Sequence, residues 1–309
     1  TLLLGLVLGG TYALLALGLS LQYGISRIMN LAYGEFMLLA CFAVTLMFTG
    51  WGVGPLWGLF VVAPAGYGFS WLIYRVMMRP LVKRAGGSGR LEVESILATF
   101  GLRFVLQGVM LVTFGSDFTS SSYLNTGVEM LGVTIAANRL IAFVLSVVIG
   151  LGLFTLLIRT RWGTAMRAVA LSPDSAYLVG IDVDRMGRQA FALGGALAAA
   201  GGALISMYQT FSATDGVVFT MKALIVVIMG GVGNILGALI AGLFLGLAET
   251  FVAAFIDPGL TLAATYTLFL VVLLWRPNGP FGKAGGCPMW LVIAVSALAC
   301  PAALPFLLD

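Results

Sequence analysis

Three ionisable residues stand where ionised side chains are expensive. Glu35, Arg103 and Glu249 each lie in or beside an apolar run, and a charge at the centre of a bilayer costs at least about 2.5 kcal/mol on insertion scales. Residues kept at that cost pair with one another or line a solute path. Glu35 sits in MNLAYGEF, where Asn30, Tyr33, Gly34 and Glu35 open an apolar segment. Two readings fit it: Asn30 caps a helix whose first turns hold Glu35 near the positive dipole end, or the four residues line a path. Arg103 can pair with a carboxylate across a bundle or snorkel to the interface. Glu249 ends the run MGGVGNILGALIAGLFLGLAE, in which Gly230, Gly231 and Gly233 followed by Asn234 predict a break near mid-membrane. Unwound backbone at that depth is tolerated only where it is buried in protein or faces a cavity. The expected substrate path is therefore Asn30, Tyr33, Gly34, Glu35, Gly230, Gly231, Gly233, Asn234 and Glu249, with Glu249 facing the same cavity as the break.

Other chemistry finds little support. The chain has no histidine, and Cys41, Cys287 and Cys300 form no CxxC pair, so neither a metal site nor a disulfide framework is expected. Gly86-Gly87-Ser88-Gly89 matches the GxSG of intramembrane serine proteases, but it lies in a basic loop of a chain without an imidazole base and reads as a flexible linker. No GxxxxGK[ST] run is present to cradle a nucleotide phosphate. We expect no catalytic residue, no metal and no cofactor bound by this chain, with any ATP used by partner subunits.

The elements that must position these residues are membrane helices. With 61% hydrophobic and 9% charged residues, several apolar runs exceed the roughly 18 residues a bilayer-crossing helix needs. The fold class is all-α, a polytopic transmembrane bundle of about 8–10 spans with a discontinuous helix and a cytoplasmic coupling helix. The spans are drawn at 2–23, 30–50, 53–76, 91–114, 139–158, 187–209, 221–256 as a broken pair, 260–275 and 290–307. Alternation places Arg27, the cluster Arg75, Arg79, Lys83, Arg84 and Arg90, and Arg276 with Lys283 on one side, which the positive-inside rule makes cytoplasmic. Lys222 and Arg139 are left at the edges of outer loops. The net charge of +4 is thereby explained by orientation, and no nucleic acid is expected as a partner. The outer segment 115–138 reads as a turn-rich loop with a short extended or amphipathic piece. GxxxG pairs at Gly5 and Gly9, Gly233 and Gly237, and Gly242 and Gly246 predict close helix packing. Thr1, inside an apolar run, reads as a trimmed end.

One cytoplasmic stretch breaks the membrane pattern. RTRWGTAMRAVALSPDSAYLVGIDVDRMGR, from Arg159 to Arg188, is polar, basic and punctuated: Ser172 can cap a helix that starts at Pro173, Gly180 can close it, and Asp182 can cap the next. It predicts two short helices folded as an elbow that holds on to something in the cytoplasm.

Together these residues resemble the membrane subunit of ATP-binding cassette importers of the high-affinity branched-chain amino acid family, in particular its first permease type. The resemblance runs from Gly5 to Gly282 and is carried by GGTYALLALGLSLQYGI at 9–25, NLAYGEF at 30–36, RTRWGTAMRAVA with GIDVDR within 159–185, MKALIVVIMGGVGNILGALIAGLFLGLAE at 221–249 and WRPNGPFG at 275–282. It implies that the elbow couples to a cytosolic ATPase through Gly163, Ala165, Arg167, Ala168, Ala170, Asp174, Gly180 and Ile181. It also implies a second permease subunit or domain, an extracytoplasmic substrate-binding protein, membrane lipid around the bundle, and a place in the bacterial inner membrane. The substrate would be a branched-chain amino acid, or urea, a short amide or an aromatic acid. Relatives commonly have histidine in NxAHGE where this chain has Tyr33, and a phenol does not titrate near neutrality as an imidazole does. After Gly282 the run MWLVIAVSALACPAALPFLLD resembles the opening span of the second permease type. We therefore expect a permease domain over 1–282 and, over 283–309, a linker and the start of a second permease in a fused chain. A stand-alone secondary transporter or channel is the alternative reading, and it has no need of a structured elbow. An intramembrane enzyme lacks clustered carboxylates or an imidazole to work with.

Overall fold

A computed structural model describes residues 2–84, 88–120, 123, 126–130 and 133–275. The expected span at 290–307, Cys287 and Cys300, and the second-permease segment 283–309 lie outside the described residues. Seven of the described helices are long and apolar enough to cross a membrane, and two shorter apolar helices accompany them. The molecule is a multi-pass helical membrane protein.

Helix α1, Leu2–Ser26, is apolar on every face, and such a helix belongs in the middle of a bundle. It is buried without interruption from Gly9 to Gln22. Around it stand α2, Tyr33–Trp51; α3, Pro55–Ile73; and, through a π-helical turn at Tyr74–Met78, α4, Arg79–Arg84. Then follow α5, Ser88–Phe114; α6, Ala137–Arg159; the elbow helices α7, Arg161–Leu171, and α8, Pro173–Leu178; α9, Val183–Ile205; α10, Gly216–Gly230; α11, Ile235–Phe255; and α12, Thr261–Trp275. The outer loop carries an antiparallel hairpin, Gly127–Met130 with Val133–Ala136, which is the extended piece expected there.

Without water to drive apolar faces together, membrane helices associate through close packing of small residues. α1 and α11 run antiparallel with their backbones in contact. Gly5 faces Leu247 and Thr250, Gly9 faces Leu243, Gly242 faces Ala13, and Gly246 sits on the backbone of Gly9. Two of the three GxxxG pairs are thus this seam, and Gly233 lies against Gly24 at its far end. α9 packs antiparallel to both α1 and α3 through Gly194, Gly195 and Gly201. At the basic end, Tyr74 and Arg79 both reach Asp184 at the start of α9, at 3.2 and 3.5 Å.

Three expectations about the drawing change. The break after Gly230 is real, but it is at the basic end of the bundle and not near mid-membrane: Gly231 and Gly233 reverse the chain at φ +82° and +78°, and Gly233 N–H donates to Ser20 Oγ, two turns before α1 ends. α10 starts at Gly216, five residues before the drawn span, because α9 stops at Ile205 and the chain returns into the bundle. Phe211 pairs its backbone with Thr119 and sets its ring edge-on to Phe42, which holds this return in place. Lys222 consequently belongs to the interior of the bundle, with its side chain 12% exposed, and not to a loop edge.

The α1–α11 seam gives the first prediction. Gly246→Leu inserts a side chain into the backbone of Gly9 and should lower stability by more than the ~1–3 kcal/mol of ordinary overpacking. Gly152→Leu, at an open helix surface, should be neutral. Thermal melts of the two purified variants in detergent check this, and equal melting temperatures would refute the seam.

Candidate functional site

The NLAYGEF block does not begin a helix at the end of α1. Arg27 turns the chain back in a left-handed conformation, φ +55°, and residues 27–32 run unwound beside the last turns of α1 before α2 starts at Tyr33. Backbone in this position must find partners within the protein, and it does. Met29 N–H donates to Ser95 Oγ at 3.4 Å, Leu31 N–H to Thr99 Oγ1 at 3.2 Å, and Thr99 Oγ1 donates to Met29 O at 3.1 Å. Asn30 Oδ1 accepts from Ala32 N–H at 3.1 Å while its amide donates to Gln22. Gln22 in turn donates to the carbonyl of Phe191. Asn30 is therefore the brace of the unwound segment; Ala32, and not Asn30, occupies the N-cap of α2. Gln22, Ser95, Thr99 and Thr220 escape sequence reading, because a buried hydroxyl or amide that bonds another segment looks the same in sequence as one that bonds its own helix.

Two helix starts meet at this segment. Gly34 N–H donates to Thr220 Oγ1 at 2.8 Å, and Gly34 and Gly216 approach so closely that neither could carry a β-carbon in place: at Gly34 it would strike Gly216 O, and at Gly216 the Glu35 carboxylate. Glu35 is in the first turn of α2, as expected, and has no exposure. Arg103 of α5 comes to it across the bundle, Nε to Oε1 at 3.6 Å. The guanidinium lies over the rings of Phe100 and Phe104. Neither Glu35 oxygen nor Arg103 Nε has a hydrogen-bond partner among the described residues. Tyr33 is buried with its hydroxyl against Gly18 and without a hydrogen-bond partner among the described residues.

Glu249 does not share a cavity with the glycine break. It lies about 22 Å along α11 from Asn234, at 1.5 Å per residue, in a closed knot of four helices. Lys222 Nζ is 2.9 Å from its Oε1, Tyr12 OH donates to Oε2 at 2.9 Å, Thr265 Oγ1 to Oε1 at 2.8 Å, and Lys222 donates to Tyr12 OH at 2.8 Å. Helices α1, α10, α11 and α12 are tied at this point.

Gly233 and Asn234 instead line a cleft of about 550 Å³ at the basic end, whose other walls are Tyr23, Gly24, Arg27, Arg167 and Ala170. The glycine turn and the elbow, predicted as separate features, thus share one cleft. Gly230 and Gly231 stand behind it, Gly230 against Gly237 and Ala238. The elbow itself folds as its punctuation demands: Gly163 N–H donates to Thr160 Oγ1, Ser175 N–H to Ser172 Oγ, and Arg185 N–H to Asp182 Oδ1. Gly180 closes α8 at φ +80°. Met166 and Val169 face inward with Gly163, which is pressed on Leu157 and so belongs to the elbow's inside. Arg167 and Gly180 are exposed, Ala165, Ala168, Ala170 and Ile181 half-buried. Asp174 lies in the first turn of α8. Leu171, Tyr177, Leu178 and Val179 leave 70–86% of their surfaces uncovered.

A multi-pass bundle with an unwound, braced segment at a buried ion pair, and a capped elbow on its basic face, defines a membrane permease. Residues 1–275 match the family described as branched-chain amino acid transport system, permease component, and the chain belongs to that family. It is 31% identical over 297 residues to the high-affinity branched-chain amino acid transport system permease protein LivH of Escherichia coli (strain K12), covering 90% of this chain and 94% of that one. The corresponding BraD of Pseudomonas aeruginosa (strain PAO1) is 31% identical over 296 residues, with the same shares covered. The LivM permease of Salmonella typhimurium (strain LT2) is 25% identical over 289 residues, covering 87% of this chain and 67% of that one. No solved structure matches significantly.

The Glu249 knot generates a prediction about coupling. Lys222→Met leaves a buried carboxylate unpaired and should destabilise by about 3–5 kcal/mol, whereas Lys222→Met with Glu249→Leu should recover most of that loss. A double-mutant cycle of denaturation in detergent checks it; additive losses would mean that the pair is not coupled.

Proposed function

We propose that this chain is the membrane subunit of an ATP-driven importer, forming with a second permease subunit or domain the path for branched-chain or related amino acids across the bacterial inner membrane. Substrate arrives on an extracytoplasmic binding protein. Cytosolic ATPases bind and hydrolyse ATP, and this chain catalyses no reaction and holds no cofactor. The substrate class follows the names of the relatives.

The observation that carries the reading is the exposed apolar tip of the elbow. Leu171, Tyr177, Leu178 and Val179 are exposed on the elbow at the basic end of the bundle, and four large side chains uncovered on a rigid, capped element suit an interaction site. The ATPase is the partner it suits. Arg167 and Ala170 on the same elbow line the cleft with Gly233 and Asn234, so movement of the elbow bears on the turn between α10 and α11. ATP-driven closure of two ATPases would shift the bundle between inward-open and outward-open states.

Replacing Leu178 by Glu puts a charge in the proposed interface and should weaken ATPase binding by at least about 30-fold, the loss of one interface anchor. Gly180→Arg should do the same by straining the positive φ. Affinity purification from native membranes, with the ATPase identified in the eluate and folding followed by thermal melts, checks both. A folded Leu178→Glu variant that retains its ATPase would sink the docking role.

A further inference from the structure

We propose that Glu35 and Arg103 read the zwitterion of the transported amino acid, the carboxylate taking its ammonium group and the guanidinium its carboxylate. This rests on the amino-acid reading of the substrate given above.

An ion pair that serves to hold two helices together closes to hydrogen-bonding distance, about 2.7–2.9 Å for N–H donating to a carboxylate. This one stays at 3.6 Å. A buried carboxylate offers roughly four acceptor sites, yet both Glu35 oxygens lack a hydrogen bond. The Glu249 knot provides an internal comparison: in the same bundle, a second buried carboxylate has both oxygens engaged by Lys222, Tyr12 and Thr265. Glu249 is complete and Glu35 is not. Burying polar groups in that state is costly, and a ligand that supplies the missing bonds removes the cost.

The missing bonds specify the ligand. Glu35 needs N–H donors, and an ammonium has three; Arg103 Nε needs an acceptor, and a carboxylate supplies one. A simple carboxylic acid would add a second anion beside Glu35, and a simple amine a second cation beside Arg103. An α-amino acid satisfies both and leaves the site neutral, so no unbalanced charge enters the low-dielectric interior. Gly216 at the start of α10 adds backbone of positive dipole sense beside the carboxylates. Arg103 keeps 17% of its side chain exposed.

A separate apolar cavity lies on the neighbouring face of α2, toward α3 and α9. It has a volume of about 230 Å³ and begins at Phe36 and Leu39, one residue and one helical turn beyond Glu35. Ala43, Val62 and Phe69 make it apolar, and Ser70, whose buried hydroxyl lacks a partner, is at its inner end.

The test is L-leucine uptake by cells carrying the complete importer and no other leucine uptake system, comparing wild type with Glu35→Gln, Arg103→Met and the double variant. The double variant removes both charges together and so relieves any destabilisation due to an unpaired partner. If the pair reads the zwitterion, each single variant and the double variant should lose at least about 30-fold in uptake per assembled importer, as for loss of a desolvated charge partner. Recovery of uptake in the double variant to within about threefold of wild type would show a merely structural pair and overturn the inference. Should the double variant fail to assemble, competition decides on Arg103→Lys, which keeps the charge but not the planar fork. 3-Methylbutylamine, which has no carboxylate, should compete with leucine better relative to wild type in that variant, and unchanged competition would overturn the proposal. Wild-type importer that takes up no α-amino acid at all would overturn the substrate reading itself, a result distinct from a wild type that transports leucine and a double variant that does so equally well.

Discussion

Unwound backbone packed inside a helical bundle has no water to satisfy its N–H and C=O groups, so the protein must partner it. Residues 27–32 meet that constraint through side chains from three other places in the chain: Gln22 on α1 and Ser95 and Thr99 on α5, with Thr220 of α10 holding the first turn of α2. The positions of α5 and α10 relative to α1 follow from this bracing. Only with α5 there does Arg103 reach Glu35, and only with α10 there does Gly216 touch it. An unwound segment is thus the feature that brings charge and helix starts together at one place. A continuous helix through the same residues would satisfy its own backbone and assemble none of them.

The two buried carboxylates show how one solvent can support two different uses of charge. Glu249 is surrounded by donors from three other helices, which makes it a fastener: its energy lies in completed bonds, and removing one partner leaves an expensive remainder. Glu35 faces one guanidinium at a distance too long for a hydrogen bond. Completed bonds fix a geometry, whereas incomplete ones are available for exchange. Identical chemistry at the level of residue type is distinguished only by the number and placement of partners.

That distinction explains what could be read in the sequence and what could not. The elbow was legible to the residue, since Ser172, Gly180 and Asp182 act through backbone groups within three positions of themselves and need no knowledge of the rest of the fold. The α1–α11 seam was legible as GxxxG spacing because close approach requires small residues whatever the partner. The break at Gly230–Asn234 was legible as a break, but its depth was not, because depth depends on where α10 begins, and that is set by the pairing of Phe211 with Thr119 far away in the chain. Glu249 was misplaced by the same error: with the break drawn at mid-membrane, a carboxylate on the following helix falls beside it. Ser95 and Thr99 gave no signal, since hydroxyls are common in membrane helices and usually bond the preceding turn, as Thr99 also does with Ser95 O.

The connection between the elbow and the ion pair is a matter of stiffness. Trp162 of α7 donates to Gln189 of α9 at 2.6 Å, so the elbow is fixed to the first turns of a long, buried helix. α9 in turn gives the Phe191 carbonyl to Gln22, which holds Asn30. On its other side the elbow borders the turn from which α10 leads back, through 15 residues, to Gly216 at Glu35. The unwound segment and the start of α10 are therefore each attached to the elbow by a separate packed route. Displacing the elbow as one body would move the brace of Asn30 along α9 and the glycine turn along α10, and Glu35 lies where the two routes converge. There the two are joined by the Gly34 N–H to Thr220 bond, and Arg103 of α5 stands beside them, 3.6 Å from Glu35. In the proposed importer, motion at the cytoplasmic face would reach the neighbourhood of Glu35 by these two routes.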